Sequence, residues 1–415
     1  MCRVDLTEFD YLLTERGQAL LAELAAGEAP DPLAAATRLR ARHPAELVSA
    51  ALTQDRLRRR ARAKFGEQAA LLYFTEAGYE QSTRREVARL RAERFMNAGV
   101  RRVADLCCGV GGDALAFAAA GMDVLAVDRD PLTCAVLRAN AAALGLAERV
   151  EVRCADVTEV ALDGCDAVFL DPARRAERGR VFDPAGYSPP WSFALGLADR
   201  VPAAGFKVAP GIPHEALPAA AEAEWVSDGG EVKEAGIYFG PLRTAARRAT
   251  LLPGPHSLAS GTGFIGSGEA GSELVEPGIP QDPPVGEVGR YLYEPDGAVI
   301  RARLLGDLAA QLDARTLDPT IAYLTSDQLT DTPYAAAYEI TDLLPFTVKK
   351  LRALVAERGY GTLTIKKRGA DVDPEALRRQ LLRRQSGASA PKTNAATLVV
   401  TRHRGRHVAL VARAL

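Results

Sequence analysis

The residues best suited to chemistry follow an apolar run, AVFL, at residues 167–170. Asp171, Pro172 and Arg174 come directly after it in the stretch DPAR. A carboxylate and a peptide carbonyl can accept hydrogen bonds from an amine, and a guanidinium plane can stack on a base or bind a phosphate. These three residues are therefore catalytic candidates. The alternative is that the stretch is only a strand that ends in a turn.

A glycine-rich stretch, DLCCGVGGD, lies at residues 105–113 and follows another apolar run. Gly109, Gly111 and Gly112 allow the backbone to approach a ligand closely and expose amide groups at the start of a helix. By itself this pattern suits either a dinucleotide site or an ordinary tight turn.

Three aspartates extend the pattern, because each stands at or near the end of a strand-like run. Asp105 precedes the glycines, Asp128 ends VLAVD 23 residues later, and Asp156 ends VEVRCAD. Carboxylates at these places can hold a cationic amino group, two ribose hydroxyls and the exocyclic amine of adenine. Each aspartate alone could equally begin a helix, but their order along the chain favours a ligand that contains a nucleoside.

These residues are far apart in the sequence, so the fold must bring them to one edge of a sheet. Changes in the spacing of apolar residues predict such a fold. Residues 1–95 carry apolar positions at three- and four-residue spacing, which predicts an N-terminal helical region. In residues 96–252 short apolar runs alternate with helix-length segments, which is typical of a parallel α/β sheet. The runs VKEAGIYFG and ARRATLLP are close together and predict an antiparallel hairpin at one edge of that sheet.

The remaining residues divide into a linker and a second domain. Residues 253–289 are rich in Gly, Pro and Ser without sustained periodicity, which predicts a linker or an insertion. Residues 290–415 return to ordered patterning, which predicts a connecting segment followed by a small, basic α/β domain.

The charge of the chain is unevenly distributed. From Phe346 to Leu415 there are 16 lysines and arginines against 4 aspartates and glutamates, whereas the rest of the chain has 36 against 49. A basic segment on an acidic body predicts a polyanion-binding module, with a solvated surface as the alternative. Lys366, Lys367 and Arg368 form its run KKR, which we expect to contact the substrate.

Composition limits the other classes of protein. The sequence has no apolar run of about 18 residues, which argues against a membrane span, and its start lacks a signal peptide's pattern, so the cytoplasm is expected. The six cysteines form no CxxC pair and have no histidine partner at metal spacing, so no metal site is expected. The oligomeric state stays open.

Taken together, DLCCGVGGD, AVDRD, CAD and FLDPAR resemble the class I S-adenosylmethionine-dependent methyltransferases over roughly residues 78–255. YFTEAGYEQSTRREVARLRAERF and YEITDLLPFTVKKLRALVAERGYGTLTIKKRG resemble bacterial members that carry a C-terminal THUMP-like domain. These enzymes are distantly similar to RNA methyltransferases of the trimethylguanosine synthase type. The resemblance implies a Rossmann-like, seven-stranded α/β sheet, an N-terminal helical region and a small C-terminal α/β domain.

The resemblance also implies the cofactor, S-adenosyl-L-methionine, and the residues that hold it. Asp105 and the backbone of residues 109–112 would surround the methionine part, Asp128 the ribose and Asp156 the adenine. Residues 81–83 would lie near the donor carboxylate. The expected cofactor contacts are Asp105, Cys107, Gly109, Gly111, Gly112, Asp113, Asp128, Arg129, Asp156 and Val157.

The stretch DPAR departs from the pattern of relatives that methylate an exocyclic amine. Those enzymes commonly carry Asp or Asn, Pro, Pro and an aromatic residue after the fourth strand. Here DP is kept and AR replaces the half that stacks on the base. Tyr187 and Trp191 in YSPPWSF are candidate replacements that would bind the substrate. The alternative for Trp191 is that it belongs to the next helix and packs in the hydrophobic core.

The leading hypothesis is a methyltransferase that acts on a base in RNA, presented by the basic C-terminal domain, with the arginine-rich N-terminal helices as a further candidate contact. Two alternatives stay open: a methyltransferase acting on a protein or small molecule, and a non-catalytic RNA-binding protein with this fold. Methylation at carbon 5 of a pyrimidine is disfavoured, because the strand-end segments DPARR and VAPGIPH contain no cysteine nucleophile.

Overall fold

The computed structural model describes residues 5–27, 31–174, 186–260, 282–382 and 394–415, with the backbone alone for Pro32 and Arg174. Two compact units make up the chain. The first comprises Met1–Glu222 with Gly236–Thr244, and the second comprises Ala223–Ala235 with Ala245–Leu415. Within the described residues, no helix is both long and apolar enough to cross a bilayer.

The first unit begins with six helices, as its periodicity predicts. They are α1 (Leu6–Leu13), α2 (Glu15–Ala25), α3 (Pro32–Arg40), α4 (Ala45–Phe65), α5 (Glu76–Gln81) and α6 (Arg85–Asn97). Side-chain caps fix the first three starts: Asp5 forms a capping box with Glu8, and Thr14 and Asp31 each accept a backbone N–H from the first turn.

Eleven strands and three α-helices come next in the described part of the chain. The strands are β1 (Arg102–Leu106), β2 (Asp123–Asp128), β3 (Val150–Cys154), β4 (Ala167–Leu170), β5 (Ala173–Arg174), β6 (Tyr187–Ser188), β7 (Ala203–Val208), β8 (Glu222–Asp228), β9 (Glu231–Phe239), β10 (Arg247–Leu252) and β11 (His256–Ala259). The helices are α7 (Gly112–Ala119), α8 (Pro131–Ala143) and α9 (Trp191–Ala198). β5 and β6 pair with each other, and the other nine strands form one sheet.

The order of this sheet is β11-β10-β8-β9-β7-β4-β1-β2-β3. The pairs β2–β3, β1–β2, β1–β4 and β4–β7 are parallel, as the alternation of strands and helices predicts. The seven strands from β3 to β8 form the predicted Rossmann-like sheet, and β10 and β11 extend it.

The predicted hairpin between VKEAGIYFG and ARRATLLP is wrong. β10 pairs in parallel with β8 and antiparallel with β11, a strand within the stretch predicted as a linker. β9 is buried from Glu234 to Tyr238, as is usual for a central strand rather than an edge.

The C-terminal part of the second unit is a seven-stranded sheet of order β13-β14-β12-β15-β18-β17-β16. Its strands are β12 (Tyr291–Pro295), β13 (Arg315–Asp318), β14 (Ile321–Ser326), β15 (Ala335–Pro345), β16 (Tyr360–Lys367), β17 (Asn394–His403) and β18 (Arg406–Ala414). Its helices are α10 (Gly297–Arg301), α11 (Leu305–Gln311), α12 (Val348–Glu357) and α13 (Pro374–Leu382). Leu351 of α12 and Leu377 of α13 share an apolar cluster with Leu363 and Leu398 of the sheet.

Two buried amides attach the N-terminal helices to the glycine-rich turn. The Asn140 side chain accepts from the Tyr73 N–H at 2.6 Å and donates to the carbonyls of Tyr73 and Val110, each at 3.0 Å. Gln54 pairs in the same way with both backbone groups of Phe74. Because all these groups are removed from water, each lost partner leaves a costly unsatisfied polar atom.

We expect Asn140→Ala to lower the free energy of unfolding by about 2 to 4 kcal/mol, because three buried backbone groups lose their partner. Urea denaturation of the full chain measures this change. Asn97→Ala, at the exposed end of α6, is the matched control and should stay within about 0.5 kcal/mol of the parent. Equal losses in both variants would show that the buried amide does not anchor the turn.

Candidate active site

The candidate residues collect at the carboxyl ends of the parallel strands. Asp105 lies in β1 and Asp128 ends β2, while Asp156 follows β3 and Asp171 follows β4. Because these four strands are neighbours and run in the same direction, their ends meet along one edge. In open α/β sheets this is the edge at which ligands bind.

The glycine-rich turn adopts backbone conformations that favour glycine at two positions. Gly109 has φ +56° and Gly111 has φ +97°. A Cβ on Gly111 would lie 2.2 Å from Leu137 Cδ1, whereas one on Gly109 would meet no described atom within 4 Å. Gly111 therefore serves packing against α8, and Gly109 leaves space beside the backbone for a ligand.

Asp105 is a buried carboxylate without a hydrogen-bond partner. Its residue is 1% exposed, and neither carboxylate oxygen has a partner among the described residues. Burial, followed by the charges of Asp113 and Asp171, raises the pKa of Asp105 well above its ordinary value and outweighs the opposing effects of Arg91 and the nearby Ala114 N–H. Such a group is poised to pair with a cationic ligand.

Asp128 is held in place by the turn that follows β1. Its Oδ2 accepts the Gly109 N–H at 3.1 Å and its Oδ1 accepts the Asp130 N–H at 3.0 Å. The side chain is half-buried and Arg129 beside it is exposed. Each carboxylate oxygen has a second lone pair, so the fixed carboxylate can also accept bonds from ribose hydroxyls.

Asp156 is exposed and begins the short 3-10 turn Val157–Glu159. Its Oδ1 accepts from the Thr158 N–H at 2.9 Å and the Thr158 hydroxyl at 2.7 Å, and these bonds lower its pKa. Among the described residues its Oδ2 has no hydrogen-bond donor, which leaves one oxygen for an adenine amine. Val157 is buried below it.

Two further expected cofactor residues, Asp113 and Cys107, belong to the stretch DLCCGVGGD. Asp113 is buried, pairs with Arg91 and accepts the Thr83 hydroxyl at 2.7 Å, so both of its oxygens are engaged in joining α7 to α6. Cys107 has φ +60°, and burial and the nearby Asp128 raise its thiol pKa to about 12. The raised pKa favours the neutral thiol at physiological pH.

Asp171 has a partner that the sequence did not predict. The Lys207 ammonium, from β7, donates to Asp171 Oδ2 at 2.6 Å and to the Thr83 hydroxyl at 3.1 Å. Pro172 is buried behind Asp171. A lysine inside the apolar strand run GFKVAPG was the available signal, because an isolated charge in a central strand needs a buried partner.

The candidate aromatics are both buried. Tyr187 is 4% exposed and its hydroxyl accepts the Ala209 N–H at 3.0 Å. Trp191 is 6% exposed and packs edge-on against Phe206, which fits its interpretation as a core residue. The backbone of Arg174 pairs with Tyr187, and its side chain lies outside the described residues, as do Arg175, Arg178 and Arg180.

The basic run of the second unit divides into engaged and exposed residues. Lys366 pairs with Glu294 at 2.5 Å and Arg368 donates to the Ala322 carbonyl at 2.6 Å. Lys367 is exposed and has no hydrogen bond or ion pair among the described residues. Of the three, only Lys367 is therefore available to an incoming polyanion without breaking an internal contact.

The residues present fit S-adenosyl-L-methionine. The orphaned Asp105 carboxylate suits the ammonium group of its methionine part, and the space beside Gly109 allows close approach to the backbone. Asp128 offers a fixed acceptor for the ribose. No group of three or more metal-ligating side chains is arranged for a metal ion within the described ranges.

Family models match three segments of the chain. Residues 100–192 match the family described as RNA cap guanine-N2 methyltransferase, and residues 335–414 match the THUMP domain-like family. Residues 5–61 match a domain of unknown function.

Two comparisons cover most of the chain. An uncharacterized S-adenosylmethionine-dependent methyltransferase of Mycobacterium tuberculosis, found in strains CDC 1551 and H37Rv, is 35% identical over 344 residues. The match covers 80% of this chain and 88% of that protein. A crystal structure from Porphyromonas gingivalis W83, assigned as a methyltransferase, has the same fold with a TM-score of 0.72, 22% identity, and coverage of 95% and 97%.

We expect Asp105→Asn to weaken S-adenosylmethionine binding at least about tenfold, because the pairing with the ammonium group is lost. The same change should stabilise the free protein at pH 8 by about 1 kcal/mol. Burial raises the pKa of Asp105 in the folded protein above its value in the unfolded chain. The contribution of Asp105 to stability is therefore complete below the unfolded-state pKa and is lost as the pH rises through the folded-state pKa. Asparagine removes that loss.

Titration calorimetry measures the affinity, and urea denaturation at pH 6 and pH 8 measures the stability. Asp163→Asn is the control, because Asp163 is exposed and its change should alter neither quantity. If Asp105→Asn bound the donor as tightly as the parent, Asp105 would not be the ammonium partner.

Proposed function

Because the chain belongs to the S-adenosylmethionine-dependent methyltransferases, we propose that it transfers a methyl group to a base in RNA. One observation carries the proposal: Asp171-Pro172 stands at the strand end next to the cofactor edge, within a segment similar to RNA cap guanine-N2 methyltransferases. A THUMP-like segment in the same chain supports RNA as the partner.

Bound S-adenosylmethionine supplies an electrophilic methyl group on its sulfonium. We propose that Asp105 pairs with its ammonium group, that the turn Gly109–Gly112 accommodates the methionine part, and that Asp128 and Asp156 hold the ribose and adenine. Asp171 and the Pro172 carbonyl then accept hydrogen bonds from the amine of the target base. Orientation of the nucleophile is the main contribution of these residues.

The missing aromatic residue changes how the base would be held. Tyr187 and Trp191 are buried, so we propose that the role of the missing ring falls to Arg174, whose side chain lies outside the described residues. The same absence favours a second candidate, in which the acceptor is a protein or small molecule with no base to stack.

The proposed RNA contacts are cations that no internal partner engages. Within residues 335–414, five exposed cationic side chains have no hydrogen bond or ion pair among the described residues: Lys349, Lys350, Lys367, Arg379 and Arg406. Other exposed arginines of the second unit form ion pairs instead: Arg290, Arg358, Arg404 and Arg413. An unpaired cation gives up no existing contact when it meets a phosphate, so we assign the first set to RNA.

The first experiment incubates the full chain with methyl-labelled donor and total RNA from cells that lack the gene. We expect label in RNA, reduced about 100-fold or more by Asp171→Ala, with donor binding retained. Calorimetric donor titration of the variant is the control for folding. Label in protein or small molecules would support the second candidate, and donor binding without any transfer would support a non-catalytic RNA-binding protein.

The second experiment measures RNA affinity against salt concentration. Changing four of these five cations, Lys349, Lys350, Lys367 and Arg379, to Gln should reduce the slope of log K against log salt by about 2 to 3, because each phosphate contact contributes about 0.7. The control changes the four ion-paired arginines to Gln and removes the same charge. Equal slopes for the two variants would reject the assignment of contacts.

A further inference from the structure

Lys207 lies between the catalytic candidate Asp171 and Thr83, which contacts the start of α7. It lies in β7, next to β4, and its ammonium contacts Asp171 Oδ2 and the Thr83 hydroxyl. Thr83 in turn donates to Asp113, and Asp113 pairs with Arg91. A chain of polar contacts therefore runs from the catalytic candidate Asp171 to the start of α7.

The surroundings explain why a lysine is held here. The Lys207 side chain is 16% exposed and that of Asp171 is 31%, so the pair is partly removed from water and less screened than a surface pair. Gly112, at the start of α7, packs against the Thr83 backbone, since a Cβ there would lie 3.3 Å from Thr83 N. Movement of Lys207 would therefore disturb both Asp171 and the segment beside the glycine-rich turn.

We propose that Lys207 is a positioning residue that holds Asp171 by Oδ2, so that Oδ1 is the oxygen presented to the acceptor. This inference rests on the proposed role of Asp171. Among the described residues Oδ1 has no hydrogen-bond donor, whereas Oδ2 is engaged. When the carboxylate is held in place, the lone pairs of its free oxygen point in fixed directions, which orients the nucleophile better than a freely rotating carboxylate does.

The role of Asp171 Oδ1 follows from the balance of the transfer. The bond between sulfur and the methyl carbon breaks with its electron pair left on sulfur, and the nitrogen lone pair forms the new bond to carbon. The methylated nitrogen is then cationic and loses a proton, which Oδ1 accepts before passing it to solvent. Lys207 remains protonated throughout and takes no part in the proton transfer.

The test compares Lys207→Met, Lys207→Arg, Asp171→Asn and the double variant with Met at 207 and Asn at 171. Cell extract with labelled donor is separated into RNA, protein and small molecules, and kcat and KM are measured on the labelled fraction. We expect Lys207→Met to lower kcat about 10- to 100-fold, with the donor KM and Kd changed less than about twofold. Lys207→Arg should restore at least about a third of the lost activity.

The double variant separates positioning from a general loss of structure. If Lys207 acts through Asp171, adding Lys207→Met to Asp171→Asn should cost less than about twofold more. Lys233→Met, in β9, is the matched control for the substitution and should keep the parent's kcat. Thermal unfolding checks that each variant folds.

Three results would overturn the inference: additive losses in the double variant, failure of arginine to restore activity, or an effect confined to donor KM. Label in the protein or small-molecule fraction that depends on Lys207 in the expected way would reject RNA as acceptor and keep the role of Lys207. No label in any fraction with the parent enzyme would reject both.

Discussion

Charge compensation at the carboxyl ends of the parallel strands is the constraint on which the site depends. The charges of Asp113 and Asp171 act there on Asp105; Asp105 and Asp113 are buried, and Asp171 is half-buried. Two cations offset two of them, since Arg91 pairs with Asp113 and Lys207 with Asp171. Asp105 is left without a partner, so the free protein favours its neutral form. A ligand with a cationic amine would complete the balance, which is why a destabilising carboxylate fits a binding site.

The N-terminal helical region is part of the site, because it supplies residues that compensate the charges of the aspartates. Arg91 comes from α6, and Thr83 from the turn between α5 and α6. Asn140 fixes the Tyr73 backbone to the Val110 carbonyl in the glycine-rich turn. The clustered arginines of α4 also serve this packing: Arg58 donates to the Leu72 carbonyl and Arg59 pairs with Asp55. Arg58 and Arg59 are therefore engaged within the unit.

The parts of the fold and site that the sequence predicts are those encoded by local patterns. Strand and helix alternation, the glycine-rich turn and the aspartates at strand ends depend on residues close together in the chain, and the parallel sheet follows from them. Lys207 and Arg91 are different, because their partners are distant in sequence and chosen only when the sheet forms. A count of charges also cannot separate Lys366, which pairs with Glu294, from the exposed Lys367. Which cations form ion pairs depends on the fold. The excess of lysine and arginine therefore predicts a basic surface but not which residues are free to form it.

The altered edge has a consequence for how affinity and selectivity are divided in the proposed function. An aromatic ring holds a base by stacking, which is worth about 1–3 kcal/mol per base and depends little on salt. Replacing that ring by arginine shifts recognition toward electrostatic contacts, which are shared with phosphates and weaken as salt rises. Such contacts increase affinity for any RNA and discriminate poorly between bases. Selectivity must then come from the acceptor geometry at Asp171, where the ion pair with Lys207 leaves one free oxygen to read a single amine.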